Sequence, residues 1–405
     1  MIFSEKIIEL VKAGDNGLPP TSWKRSIACF FKHLQDTTYM KQLLILLAAA
    51  LFACQSSNHT KPDSSTDTSA AVWDTAKAIK PAFVTDTVLY DTDDPAVWIH
   101  PTDPAQSLII GTDKDDDGGL YVFDLKGKML RDKTVRGLKR PNNVDIVQGI
   151  WLDGKQVDVA VTTERNLHQI RIFSLPDMKP LDGGGIPVFV NDTAADFRDL
   201  MGVALYKRAA DSSVFAIVGR KNGPTNGSYL AQYKLTGNGK GEFVATEIRR
   251  FGKYSGHKEI EAIAVDNELG YVYYSDEQRG IRKYYADPEK GNEELAFFGT
   301  TGFAEDHEGI SIYKLTDSTG YLLVSDQQRN CFHIFTREGS SGNPHNHQLL
   351  KVIKTSTDES DGSETVTLAI PGLFPKGFFV AMSTDKTFHI YRWEDIAGKE
   401  LKSRN

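Results

Sequence analysis

Short apolar runs recur along this chain at a steady spacing. One unit repeats: an apolar strand, a turn rich in charge or Gly, then a second strand carrying aromatics. Copies start at residues 108 (LIIGTDKDDDGGLYVFD), 157 (VDVAVTTERNLHQIRIFSL), 214, 271 (YVYYSDEQRGIRKYY), 321 (YLLVSDQQRNCFHIF) and 378, and these starts lie 49, 57, 57, 50 and 57 residues apart. Another short strand precedes each copy, at 95–100, 143–150, 201–206, 261–266, 309–315 and 365–370. Further strand-like runs, 247–251 and 349–354, fall between copies. Six units of three to four strands each, with no amphipathic helix, predict an all-β, six-bladed propeller. A β-sandwich needs no such period. In a propeller the first strand of each blade lines the central channel, so the residues just before those strands gather at one mouth.

Those residues are acidic in nearly every blade: Asp93 and Asp94, Asn143 and Asp145, Asp199, Glu259 and Glu261, Asp306 and Glu308, and Glu364. Carboxylates at about 4 Å repel by roughly 4 kcal/mol per pair at an effective dielectric of about 20. A hard cation removes that cost, and an oxygen-only donor set suits calcium. Histidines and cysteines are not clustered, which argues against zinc. The plainer alternative is a set of solvated polar strand ends; it accounts for one or two sites and poorly for all six. Cations also punctuate the turns: Lys114, Arg165, Lys221, Arg279 and Arg329. Each is most simply a solvated turn charge. Lys114, Arg165 and Lys221 nevertheless hold comparable places in blades one to three, as Glu277 and Gln327 do in blades four and five. A mouth with cations on one side and acids on the other fits a polyanion bridged by metals, with a metal-activated water attacking phosphorus. The chain has no Gly-x-Ser-x-Gly elbow, no P-loop and no His-Glu-x-x-His.

The first part of the chain reads as an address and not as fold. The apolar run at 43–52 is about ten residues long, too short to span a bilayer and suited to a secretory signal. It ends in Leu51-Phe52-Ala53-Cys54, which resembles the lipobox of bacterial lipoproteins. That resemblance implies a lipidated Cys54 and a place in the bacterial cell envelope, with the outer membrane as the expected address. The expected organisation is an upstream extension at 1–39, a signal peptide at 40–53, a flexible tether at 54–80 and the propeller at 81–399. Loss of residues 1–53 would take six Lys/Arg and four Asp/Glu, moving the formal charge from −7 to −9. That argues against a nucleic-acid partner. Cys29 would go too, leaving Cys331 alone beside Cys54, with no disulfide framework.

The run Asp93-Asp94-Pro95-Ala96-Val97-Trp98-Ile99-His100-Pro101, followed by Thr112-Asp113-Lys114 and Asn142-Asn143-Val144-Asp145, resembles the bacterial β-propeller phytases. The match continues through Glu261, Asp306-x-Glu308-Gly309 and Ser360-Asp361-Gly362 to Trp393-Glu394-Asp395-Ile396, about residues 85–397 in order. The resemblance implies a calcium-dependent 3-phytase-like phosphatase of phytate (myo-inositol hexakisphosphate), with several calcium ions and a cleavage site beside a phosphate-affinity site. It makes Asp93, Asp94, Glu261, Glu277, Glu308 and Asp361 calcium ligands, with Asp306 and Gln327 beside them. Lys114, Arg165 and Lys221 would contact phosphate, Gln327 would help bind substrate, and Glu261, Glu277, Lys114 and Arg165 would carry the chemistry. Asn143 and Val144 would hold a more buried structural calcium. This chain departs from the family at Met201, where a substrate-contacting Tyr stands, at Val147, where an Arg stands, and at Thr355, where an acid is expected. Its 222–228 loop is longer, and its last blade lacks an acidic Gln-Asp-Gly stretch. The expected partner is an inositol phosphate, bound by a monomer that meets membrane only through its lipid. The alternatives are a calcium-dependent lactonase-type propeller and a non-catalytic binding propeller.

Overall fold

The structure, a computed structural model, describes residues 71–404. The signal-like run and Cys54 lie outside the described residues. Apolar alternation and charged turns produce six sheets, five of four antiparallel strands and one of five. Blade one is Thr92–Trp98, Leu108–Asp113, Gly118–Asp124 and Val135–Leu138. Blades two and three begin with Pro141–Leu152 and Leu200–Lys207. Blades four, five and six begin with Ile263–Asp266, His307–Lys314 and Ser363–Val366. The predicted six-bladed propeller is therefore the fold.

Two strands from the start of the described chain complete blades made by its end. Phe83–Val84 pairs antiparallel with Thr387–Arg392 and supplies the outermost strand of blade six. That closure hides a sheet edge that would otherwise stay unpaired. Val72–Ile79 pairs parallel with Leu349–Thr355 and gives blade five a fifth strand. Residues 72–79, within the expected tether, thus form a strand. Ala, Asp and Lys weaken its strand signal in sequence, and it forms because an exposed edge was there to pair with.

The core lies between blades. Val159, Val161 and Ile172 of blade two pack with Val203 and Val218 of blade three. Ile109, Tyr121 and Phe123 of blade one meet Val380, Phe388 and Ile390 of blade six. Each such side chain contributes about 1.5–3 kcal/mol when fully buried. Among the described residues the α-helix is a single turn, Trp393–Ala397. It seats Trp393 on Tyr313, with ring centroids 3.5 Å apart and planes 8° apart. The first strands of all six blades surround a central cavity of about 310 Å³.

Candidate active site

The mouth is built by a repeated irregularity. In blades one, two, three and five the pairing of the first two strands shifts at the mouth end, between Thr92 and Pro95, Pro141 and Val144, Leu200 and Val203, and His307 and Ile310. Such bulges turn successive side chains out of strict alternation. Asp93 and Asp94, Asn142 and Asn143, Met201 and Gly202, and Glu308 and Gly309 fall within them. Glycine permits the close approach that follows. A Cβ on Gly362 would collide with Asp93 and Asp94, and one on Gly202 with the Glu261 carbonyl.

One half of the mouth is a bonded network. Lys114 Nζ pairs with Asp93 and lies 3.0 Å from Asp361 Oδ2. Gln327 donates to the other Asp361 oxygen. The Asn142 amide donates to Asp93 Oδ2 at 2.8 Å and also to Glu261. Arg165 donates to Asn142 and from Nε to the Leu200 carbonyl at 2.9 Å, with Met201 Sδ against its guanidinium. Burial and the nearby Glu261 push the Asp93 carboxyl well up. Burial also pushes Glu261 up, but Lys114 and Arg165 outweigh it and hold its carboxyl below the ordinary value. Lys114 stays charged although buried, because Asp93, Glu261 and Asp361 surround it.

The other half is two overlapping carboxylate triads. Glu259, Glu261 and Glu277 form one, Glu277, Asp306 and Glu308 the other, and within each triad one oxygen per residue lies within 4.8 Å of the rest. Lys258 Nζ stands 3.0 Å from Glu277 Oε2 and 2.5 Å from Asp306 Oδ2. Lys221 pairs with Glu259 at 3.1 Å. Burial, then Glu261 and Glu259, push Glu277 up to about 9. Burial and Glu277 push Glu308 up as well. Burial pushes Asp306 up, but Lys258 and the amides of Gln278 and Gln328 outweigh it and hold its carboxyl below the ordinary value.

Asp94 points elsewhere. Its Oδ2 accepts from the Val144 amide at 3.1 Å, and the Asn143 side chain bonds it too. It lines the central cavity with Asp145 and Glu364. Asp94, Asn143 and Val144 thus come together, apart from the triads. The Asn143 carbonyl accepts from Thr162 Oγ1 at 2.7 Å. Thr355 is buried, its hydroxyl 2.7 Å from that of Thr357, and Val147 is packed in the core between blades two and three.

Two residues central to this geometry escape a reading by motif. Asn142 bridges Asp93 and Glu261, and its only signal is its place in the Asn-Asn-Val-Asp run. Lys258 precedes Glu261 by three residues and looks like a solvated charge. Arg279 and Arg329 do not join the mouth network; Arg329 bonds the Gly302 carbonyl.

The triads fit a hard cation. Glu277 Oε1 and Glu308 Oε2 are buried without a hydrogen-bond partner among the described residues. A buried carboxylate oxygen in that state is costly. All donors are oxygens, from five acids on blades four and five and their junctions.

A family profile described as Phytase matches residues 38–402. A 3-phytase of Bacillus subtilis (strain 168) is 28% identical over 323 residues, spanning 75% of this chain and 80% of that protein. With most of its length matched, the chain belongs to the phytase family and is a phosphoric monoester hydrolase.

Proposed function

We propose that this protein removes phosphate from phytate, and that calcium ions bind the Glu259–Glu261–Glu277 and Glu277–Asp306–Glu308 triads to make it active. The observation that carries the reading is the pair of buried oxygens on Glu277 and Glu308, without hydrogen-bond partners among the described residues, in triads that share Glu261 with Lys114 and Arg165 and Glu259 with Lys221. Calcium held there would supply an acidified water and neutralise charge on the phosphoryl group. The chain's own groups do the rest. Arg165 is fixed by Leu200 and Asn142, so its planar guanidinium is set in one orientation for a phosphate oxygen. Lys221 is half exposed and offers a mobile point charge. Asn142 orients Asp93 and Glu261 against each other. Met201 gives Arg165 a soft neighbour in place of a phenol hydroxyl, so phosphate binding here rests more heavily on the cations.

Phosphate release from phytate, with calcium and with chelator, tests the reading against a lactone and a simple phosphomonoester. Calcium-dependent release from phytate is the expected result. Turnover that chelator leaves unchanged overturns the metal role, and lactone opening without phosphate release overturns the substrate.

We also propose that Cys54 is lipidated and holds the protein in the cell envelope. The support is the lipobox-like run Leu51-Phe52-Ala53-Cys54 after a short apolar stretch. Cys54→Ser should leave chain that no longer partitions into detergent with membranes. Partitioning that survives the substitution refutes the anchor.

A further inference from the structure

We propose that Lys258 is a built-in counter-ion of the Glu277–Asp306–Glu308 cluster, standing in the place of a divalent cation and competing with it. The inference rests on the metal reading above and concerns what the chain does before the metal arrives. Lys258 Nζ lies 3.0 Å from Glu277 Oε2 and 2.5 Å from Asp306 Oδ2, inside the triad whose oxygens converge within 4.8 Å. Its side chain is 37% exposed, so the ammonium reaches the cluster from the solvent side and has a way out.

A lysine is an incomplete substitute. It brings one charge where the triad, fully ionised, carries three, and Glu277 Oε1 and Glu308 Oε2 remain without a hydrogen-bond partner beside it among the described residues. It does lower repulsion enough for the acids to converge without metal. Departure of Lys258 leaves the ligands in place. Asp306 is also bonded by Gln278 at 2.8 Å and Gln328 at 2.7 Å, and its amide donates to Gln328 at 2.8 Å. Metal uptake is then an exchange, a flexible single charge for a fixed double one. The displaced ammonium is left at the rim, on the side from which a phosphate approaches.

Calorimetric titration of the full chain with calcium chloride tests this, using wild type, Lys258→Met and Lys258→Arg. Each metal-free protein is also melted. With no competing ammonium to expel, Lys258→Met should bind calcium about 10-fold more tightly, roughly the worth of the two partly exposed ion pairs that wild type must break. The same variant should melt lower without metal, so its calcium-induced rise in Tm is larger than that of wild type. Lys258→Arg keeps the charge and should bind like wild type or more weakly. If Lys258→Met does not fold without metal, Lys258→Gln, which keeps a donor for Asp306, should show the same tightening. A wild type that binds calcium while the neutral variants bind it no more tightly overturns the counter-ion and leaves the metal reading standing. A wild type that takes up no calcium overturns both.

Discussion

Lys114 Nζ, at the end of the second strand of blade one, lies 3.0 Å from Oδ2 of Asp361, at the entrance to blade six. The contact bridges the first and last blades across the seam where the ring closes. Both side chains are largely buried, and removing one partner of such a pair strands the other. Lys114→Met should therefore lower metal-free stability by about 3 kcal/mol and weaken phytate binding. Denaturant unfolding with chelator present checks the first effect. An unchanged midpoint would mean that the pair contributes nothing.

Glu261 and Lys221 should separate in kinetics. Glu261 sits buried under Asn142, with its carboxylate in the first triad. Glu261→Gln should reduce kcat on the order of 100-fold, the scale seen when groups that position a metal are lost, with little change in the chelated Tm. Lys221→Ala removes an exposed point charge and should raise KM while keeping partial turnover. Steady-state kinetics at saturating calcium decide the matter. Near wild-type kcat in Glu261→Gln would mean that the reacting centre lies elsewhere.

Acid should stabilise the metal-free form. Glu277 is pushed up to about 9 and Glu364 to about 8, both chiefly by burial. A carboxyl raised in this way stabilises the fold fully below its unfolded value, near 4.5, and that stability is lost as pH rises through the folded value. The chelated protein should thus melt higher at pH 6 than at pH 9. Calcium competes with the same protons, so the gap between loaded and chelated Tm should widen from pH 6 to pH 9. Scanning calorimetry at both pH values reads it, and a gap that narrows counts against Glu277 as a ligand.

The two N-terminal strands should differ in what they hold. Deleting residues through 80 removes only the fifth strand of blade five, where Trp73 meets His333 edge-on with centroids 5.7 Å apart. We expect a loss of about 2 kcal/mol, the worth of one or two partly buried side chains, with turnover retained. Deleting through 86 also removes Phe83–Val84 and reopens the edge of Thr387–Arg392. That variant should lose its cooperative melt. Equal melts for the two truncations would refute the closure role.

The ring was legible because the strand–turn–strand unit recurs six times, and the mouth because Asp93, Glu259, Glu261, Asp306 and Glu308 hold one place in it, whereas Asp94, Asp145 and Glu364 line the channel instead. Glu277 and Gln327 follow their strands as Lys114 does, and all three reach the mouth. Periodicity does not encode who bonds whom. Lys114 and Asp361 are 247 residues apart, and Arg165 reads as a turn charge until Leu200, Asn142 and Met201 close around it. The bulges were invisible as well, since one extra residue in a strand leaves the apolar pattern almost intact. They separate Asp93 from Asp94, sending one to the mouth and the other to the channel. Val72–Ile79 was missed because its polar residues face solvent on an edge and only the pairing partner reveals it.

The direction of that edge strand sets where the chain enters the propeller. Val72 pairs with Lys351 and Ile79 with Thr355, whose amide bonds Asn330 in a mouth loop. The chain therefore enters at the face away from the acids and climbs toward them. The height of a blade thus separates that entry point from the mouth. Six or seven residues of strand span roughly 20 Å, more than two Debye lengths of about 8 Å at physiological salt. Phytate, itself a dense anion, would meet the mouth beyond the field of a charge placed where the chain enters, so a charge substituted at Val72 should leave its capture rate nearly unchanged.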